Sequence, residues 1–170
     1  MVRVRDCYLT GSAVIINHVR RIDSSKVNKG YSEQEESRDF LTVAERSHRM
    51  SLVKNADTKL EMTIRRLIYG MGYRYRLHDA KLPGKPDLVF KSRGKVIFVN
   101  GCFWHLHDCG TYNLPKSRLD FWLPKLQRNV RRDHEVRAQL ESLGWKHMTI
   151  WECELRNLEE IGKSIREFLQ

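Results

Sequence analysis

No stretch of this 170-residue chain approaches the roughly 18 consecutive apolar residues that a membrane-spanning helix needs. The opening "MVRVRDCYLTGSAVIINHVRR" has a short apolar centre, but its flanks are charged and no small-residue cleavage site follows. Cysteine is scarce: Cys7, Cys102, Cys109 and Cys153 are the only four, and without an export signal they are not expected to form disulfides. No internal repeat is visible. These absences lead to the expectation of a soluble cytoplasmic protein of one main domain, long enough to bury a core and needing neither a membrane nor an oligomer.

Acidic residues are also in short supply. Lys and Arg number 31 against 21 Asp and Glu, a formal net charge of +10. Such an excess favours a polyanionic partner, because each cation placed near a phosphate releases condensed counterions.

Residues 1–42 carry little periodicity and read as an N-terminal extension, with the organised domain spanning 43–170. Beyond Asp57, "TKLEMTIRRLIYGMG" has Leu60, Ile64, Leu67 and Ile68 at helical spacing, with Thr58 and Glu61 as a capping box. "YRYRL" alternates as a strand does. "DLVF" and "VIFVN", joined by "KSRGK", form a hairpin of buried strands. A long helix is predicted over about 121–143, with Pro124 in its first turn, where a missing N–H costs little. "WKHMTIW" is another strand, and "NLEEIGKSIREFLQ" closes the chain as an amphipathic helix capped by Asn157. The order predicts an α/β domain: a mixed sheet in three layers, flanked by helices.

The densest chemistry lies in "VNGCFWHLHDC", residues 99–109. Cys102, His105, His107, Cys109 and Cys153 are five candidates for the four seats of a zinc ion. A Cys3His set would be closed and hence structural; if it includes Cys153, one histidine is left for chemistry. Alternatively His105 is the fourth ligand and Cys153 belongs to the core, and spacing alone does not separate the two arrangements.

Asp87 opens a strand just after "LPGKP", and its hairpin partner ends at Val99-Asn100. A carboxylate at a strand start beside the end of its neighbour is a common seat for Mg²⁺ in nucleases, where the ion polarises phosphate and helps form hydroxide. The usual acidic-x-lysine pair is missing from the second strand. His105 is therefore the candidate base, its unperturbed pKa lying near the working pH. Glu61 has two competing uses, holding a metal-bound water or completing the capping box.

"KSRLDFWLPKLQRNVRR" interleaves Lys116, Arg118, Lys125, Arg128, Arg131 and Arg132 with Phe121 and Trp122. It suits either a solvated helix face with core aromatics or a surface that grips phosphates and presents rings to base steps.

The blocks "LPGKPD", "VIFVNGCFWHLHDC", "FWLPKLQRNVRRD" and "LGWKHMTIWECEL", in this order, resemble the very short patch repair (Vsr) endonucleases, bacterial enzymes that nick DNA beside a T:G mismatch. The resemblance runs from about Val43 to Leu155. It implies a restriction-endonuclease-like core of the PD-(D/E)xK type with a structural zinc site. It also implies Asp87 and the Val99 carbonyl as Mg²⁺ ligands, His105 as catalytic histidine, Glu61 as the helix glutamate, and Cys102, His107, Cys109 and Cys153 as zinc ligands. For double-stranded DNA it implies an aromatic wedge of Phe103, Trp104 and Trp122, an opposing Met50 in the minor groove, and base contacts from Lys125 and Asn129. An aromatic wedge senses mismatches because unstacking costs a few kcal/mol and less where pairing is already weak. The chain departs from the best-known members at Val99-Asn100, where they carry Thr-His. A carbonyl ligand survives any side chain, but Asn100 cannot carry charge. Two other functions stay open: a sequence-specific nicking or restriction-type nuclease acting on matched DNA, and a non-catalytic zinc-stabilised DNA-binding module.

Overall fold

Along β1 (Leu88–Phe90) and β2 (Lys95–Asn100) six of the nine side chains are apolar and buried, on both faces of the strands, so both faces of the sheet must be covered. A computed structural model describes residues 41–53, 56–115 and 118–170. Most of the expected extension, residues 1–40, lies outside the described residues, as does Lys116.

In chain order the remaining elements are α1 (Val43–Ser51), α2 (Lys59–Gly70), α3 (Leu119–Ser142), β3 (Lys146–Trp151) and α4 (Leu158–Leu169). Alternation along the strands divides the core. Leu88, Phe90, Ile97, Val99 and Ile150 face Ile64 and Ile68 of α2 and Ile161, Ile165 and Leu169 of α4. Val89, Val96 and the partly buried Phe98 face the other way, against Leu140 and Val136 of α3. The sheet thus carries helices on both faces. It has the order β1-β2-β3, with β1 antiparallel and β3 parallel to β2. The β1–β2 connection closes on Gly94, whose φ of 60° lies in the left-handed region open to glycine.

The structure corrects two expectations and adds a helix. "YRYRL" is not a strand: only Arg76 pairs, in a single bridge to Val89. His78 turns into the left-handed region at φ 47° and ends the extension, while Tyr73 and Tyr75 pack on the core. Among the described residues the sheet therefore has three strands rather than four. The long helix starts at Leu119, two residues early, so Pro124 sits in its second turn and forgoes an intrahelical hydrogen bond there. Helix α1, unassigned from sequence, stands on a capping box: Thr42 Oγ1 accepts from Glu45 N–H at 3.2 Å, and Glu45 Oε2 accepts from Thr42 N–H at 2.7 Å.

The topology aims chemistry at one end of the sheet. In the parallel register Asn100 pairs with Trp151, so β2 and β3 finish side by side. The chain leaves β2 into "GCFWHLHDC" and leaves β3 into a short 3-10 turn, Glu152–Arg156, that contains Cys153. The Glu152 carboxylate accepts the Cys102 N–H at 3.1 Å and ties the two exits together.

Candidate active site and metal centre

Two histidines separated by a single residue reach different places because of that residue. Leu106 has φ 49°, a left-handed conformation uncommon for a branched side chain. On one side His107 joins Cys102, Cys109 and Cys153, with donor atoms all within 4.8 Å of one another. On the other side His105 Nδ1 hydrogen-bonds Asp133 Oδ2.

The spacing of the first group has a physical meaning. His107 Nδ1 lies 3.5 Å from both Cys102 Sγ and Cys153 Sγ. A tetrahedral ion with bonds of about 2.3 Å to sulfur and about 2.0 Å to nitrogen would set N···S edges of about 3.5 Å. One nitrogen equidistant from two thiols suits such an ion better than a hydrogen bond, which would favour one partner. The ring stacks flat on Trp151, with centroids 4.0 Å apart and planes 2° from parallel, which fixes its direction. Burial raises the Cys102 thiol, and burial together with the neighbouring Cys102 and Cys109 pushes Cys153 up to about 12. A hydrogen bond from Thr111 lowers Cys109. Crowded sulfurs that resist ionising beside one another are the setting in which a divalent cation is stabilising.

The His105–Asp133 pair has the geometry that a general base and its orienting carboxylate require. An ionised carboxylate only accepts, so the Nδ1 proton belongs to this hydrogen bond and the Nε2 lone pair is left free. Asp133 was not singled out in the sequence, where it reads as one more charge on a basic helix. A signal was available: Lys125, Asn129, Asp133 and Arg137 recur every four residues and share one face of α3. Asn129 Nδ2 donates to the Trp104 carbonyl at 3.1 Å, so this stripe braces the loop that carries Trp104 and His105 at two points. Asp133 and Arg137 also line, with Asn100, Phe98 and Thr149, a hollow of about 20 Å³, room for about one water.

Asp87 lies just ahead of β1, and its Oδ2 accepts the Val99 N–H at 2.8 Å, which seats the carboxylate against the end of β2. Burial, opposed by this hydrogen bond and reinforced by the charge of Glu61, raises its pKa above the ordinary Asp value. Glu61 is buried in α2 and heavily engaged. It accepts from Thr58 Oγ1 at 3.0 Å, from Asp57 N–H at 3.1 Å and from Arg65 Nη2 at 2.8 Å. Asp57, Glu61 and His78 are spaced as a second possible cation seat, but Arg65 contacts all three, so a guanidinium already supplies the positive charge there.

The aromatic residues form one edge-to-face cluster. Phe103 meets Trp104 at 5.0 Å and Trp122 at 5.6 Å, and Phe121 meets Trp122 at 5.3 Å. Lys125 holds its ammonium 5.4 Å from the Trp104 and Trp122 centroids. Phe121, not named with the expected wedge, is the exposed ring of the group. Met50 is exposed on α1.

Comparison with known proteins shows the family. The family described as "DNA mismatch endonuclease Vsr" matches residues 38–111. A type II nicking enzyme of Xanthomonas oryzae pv. oryzae is 44% identical over 131 residues, covering 77% of this chain and 96% of its own. A type II nicking enzyme of Neisseria meningitidis is 38% identical over 133 residues, covering 76% and 95%. The DNA mismatch endonuclease Vsr of Escherichia coli is 42% identical over 123 residues, covering 72% and 79%. These likenesses define a DNA endonuclease. The chain belongs to the Vsr family.

Proposed function

We propose that this endonuclease nicks one strand of duplex DNA beside a T:G mismatch by Mg²⁺-dependent hydrolysis of a phosphodiester. The observation that carries the reading is the His105–Asp133 pair, which leaves a free imidazole nitrogen as base in a chain 42% identical to a named mismatch endonuclease. Asp87, with the Val99 carbonyl beside it, would hold Mg²⁺, which supplies charge stabilisation at the phosphate. His105 Nε2 takes the proton of the attacking water, and Asp133 stabilises the imidazolium that forms. Asn100 donates a neutral hydrogen bond where the best-known members carry a histidine.

Zinc is the metal proposed for Cys102, His107, Cys109 and Cys153, holding the loop rigid from below. Phe103, Trp104 and Trp122 then form a wedge, Lys125 and Asn129 face base edges, and Met50 approaches from the opposite groove. The core is read as a reduced restriction-endonuclease-like sheet. Among the described residues no helix is long and apolar enough to cross a membrane. The substrate places the proposed site of action on DNA in a bacterial cytoplasm.

The test is a nicking assay with Mg²⁺ on T:G, other mismatched and matched duplexes in several sequence contexts. T:G duplexes are expected to be cut on one strand and much faster than the rest. Equal rates on matched and mismatched DNA would favour a second reading, a sequence-specific nickase, to which the names of several relatives lend weight.

A further inference from the structure

His78 stands between the helix glutamate and the acidic seat, and the expected site did not include it. Its Nε2 lies 2.9 Å from Arg65 Nη2 and its Nδ1 lies 3.9 Å from Asp87 Oδ1. A guanidinium has donors and no acceptor, so Nε2 must present its lone pair to Arg65. A neutral imidazole with that lone pair carries its proton on Nδ1, the nitrogen that faces Asp87. Arg65 is in turn held by its contacts with Asp57 and Glu61, so its direction is fixed. The backbone of His78 sits at φ 47°, a conformation that side chains adopt rarely and that serves here to swing the ring over the seat.

We propose that His78 is a positioning residue for Asp87. It is locked by Arg65 as the Nδ1–H tautomer and donates that proton to Oδ1 while the Val99 N–H holds Oδ2. The separation in this structure is 3.9 Å, so the hydrogen bond would need only a small turn of the imidazole or the carboxylate. Each carboxylate oxygen then has one donor from the protein and keeps lone pairs for the cation. Glu61 acts on the seat through this relay, Glu61 to Arg65 to His78 to Asp87, and need not touch the metal.

The inference rests on reading Asp87 as a metal ligand, and the test separates the two. In the metal-free, DNA-free chain labelled with ¹⁵N-histidine, long-range ¹H–¹⁵N correlation is expected to show His78 as the neutral Nδ1–H form. An Nε2–H tautomer or an imidazolium overturns the proposal, and this measurement needs only the unmutated protein. Mn²⁺ binding without DNA, followed by electron paramagnetic resonance, is expected to weaken about 10- to 100-fold in His78→Leu. His78→Gln has a carbonyl to accept from Arg65 and an amide to donate to Asp87, and is expected to recover most of that affinity. Binding by His78→Leu equal to the unmutated chain, or by His78→Gln as weak as His78→Leu, overturns the role. If Asp87→Asn leaves Mn²⁺ binding unchanged, the reading of the seat itself is overturned, whatever His78 does.

Discussion

Asp133 owes its proposed role to one hydrogen bond, and the consequence is testable by a change of a single atom. Asp133→Asn keeps the size of the side chain but offers His105 an amide, which favours the wrong tautomer. Nicking is expected to fall by about 10²- to 10⁴-fold with metal content unchanged. Asp87 supports a pH prediction. Its folded pKa is raised, so the folded chain holds that proton more tightly than the unfolded one. The stability this contributes is fully present below the ordinary Asp range and is lost as pH rises through the folded value. A cation can bind only the ionised form, so Mn²⁺ affinity is expected to decline on acidification at a pH above the ordinary carboxylate range of about 4. Titration by electron paramagnetic resonance from neutral to acid pH measures it; a decline confined to that ordinary range would count against the burial described for Asp87. The residues of this site were unequally legible. Asp87, His105 and the four sulfur and nitrogen donors belong to short, chemically unusual stretches. Asp133 shows in the sequence only as one member of a four-residue stripe on α3, and its partner His105 is 28 residues away; His78 meets Arg65 and Asp87, so its neighbours in sequence do not announce it.

At the scale of elements, the helices and hairpin were readable because burial repeats with the period of each. α2 shows this in Ile64 and Ile68, and β1 and β2 do so in near-continuous apolar runs. "YRYRL" misleads because its alternation is real but serves a core edge that only Arg76 joins to the sheet. The cap at Thr42 was missed because α1 has no apolar stripe to draw attention to it. One tight contact binds the turn before Asp87 to the helix carrying Asp133. A Cβ on Gly84 would meet Val136 Cγ1 at 2.5 Å, and its φ is 71°. Gly84→Ala is expected to cost about 1–3 kcal/mol of stability, read as a lower midpoint in urea. The metal centre gives a contrasting pair. Cys153→Ser is expected to lower zinc content and melting temperature together, since structural zinc contributes on the order of 10 kcal/mol. His105→Ala is expected to leave both near normal while abolishing nicking, and the reverse pattern would reassign the two histidines.

For the molecule as a whole, the formal charge of +10 is the property DNA would feel first. Arg128, Arg131 and Arg132 are exposed along α3. Each replaced by alanine is expected to reduce the slope of log affinity against log salt by about 1 and to weaken binding across sequences alike. Fluorescence anisotropy at several salt concentrations measures this, and an unchanged slope would mean that this face does not lie along the phosphates. Cys102 and Cys153 leave neighbouring parallel strands, so an ion shared between them closes a ring of about 50 residues, a constraint of about 4 kcal/mol on the unfolded chain if it acts as a cross-link does. His105 and Asp133 both lie on that ring, one near its start and one inside it. An ion held there would shorten the distance that His105 and Asp133 can drift apart, and the proposed catalytic pair would stand on a loop that has no free end.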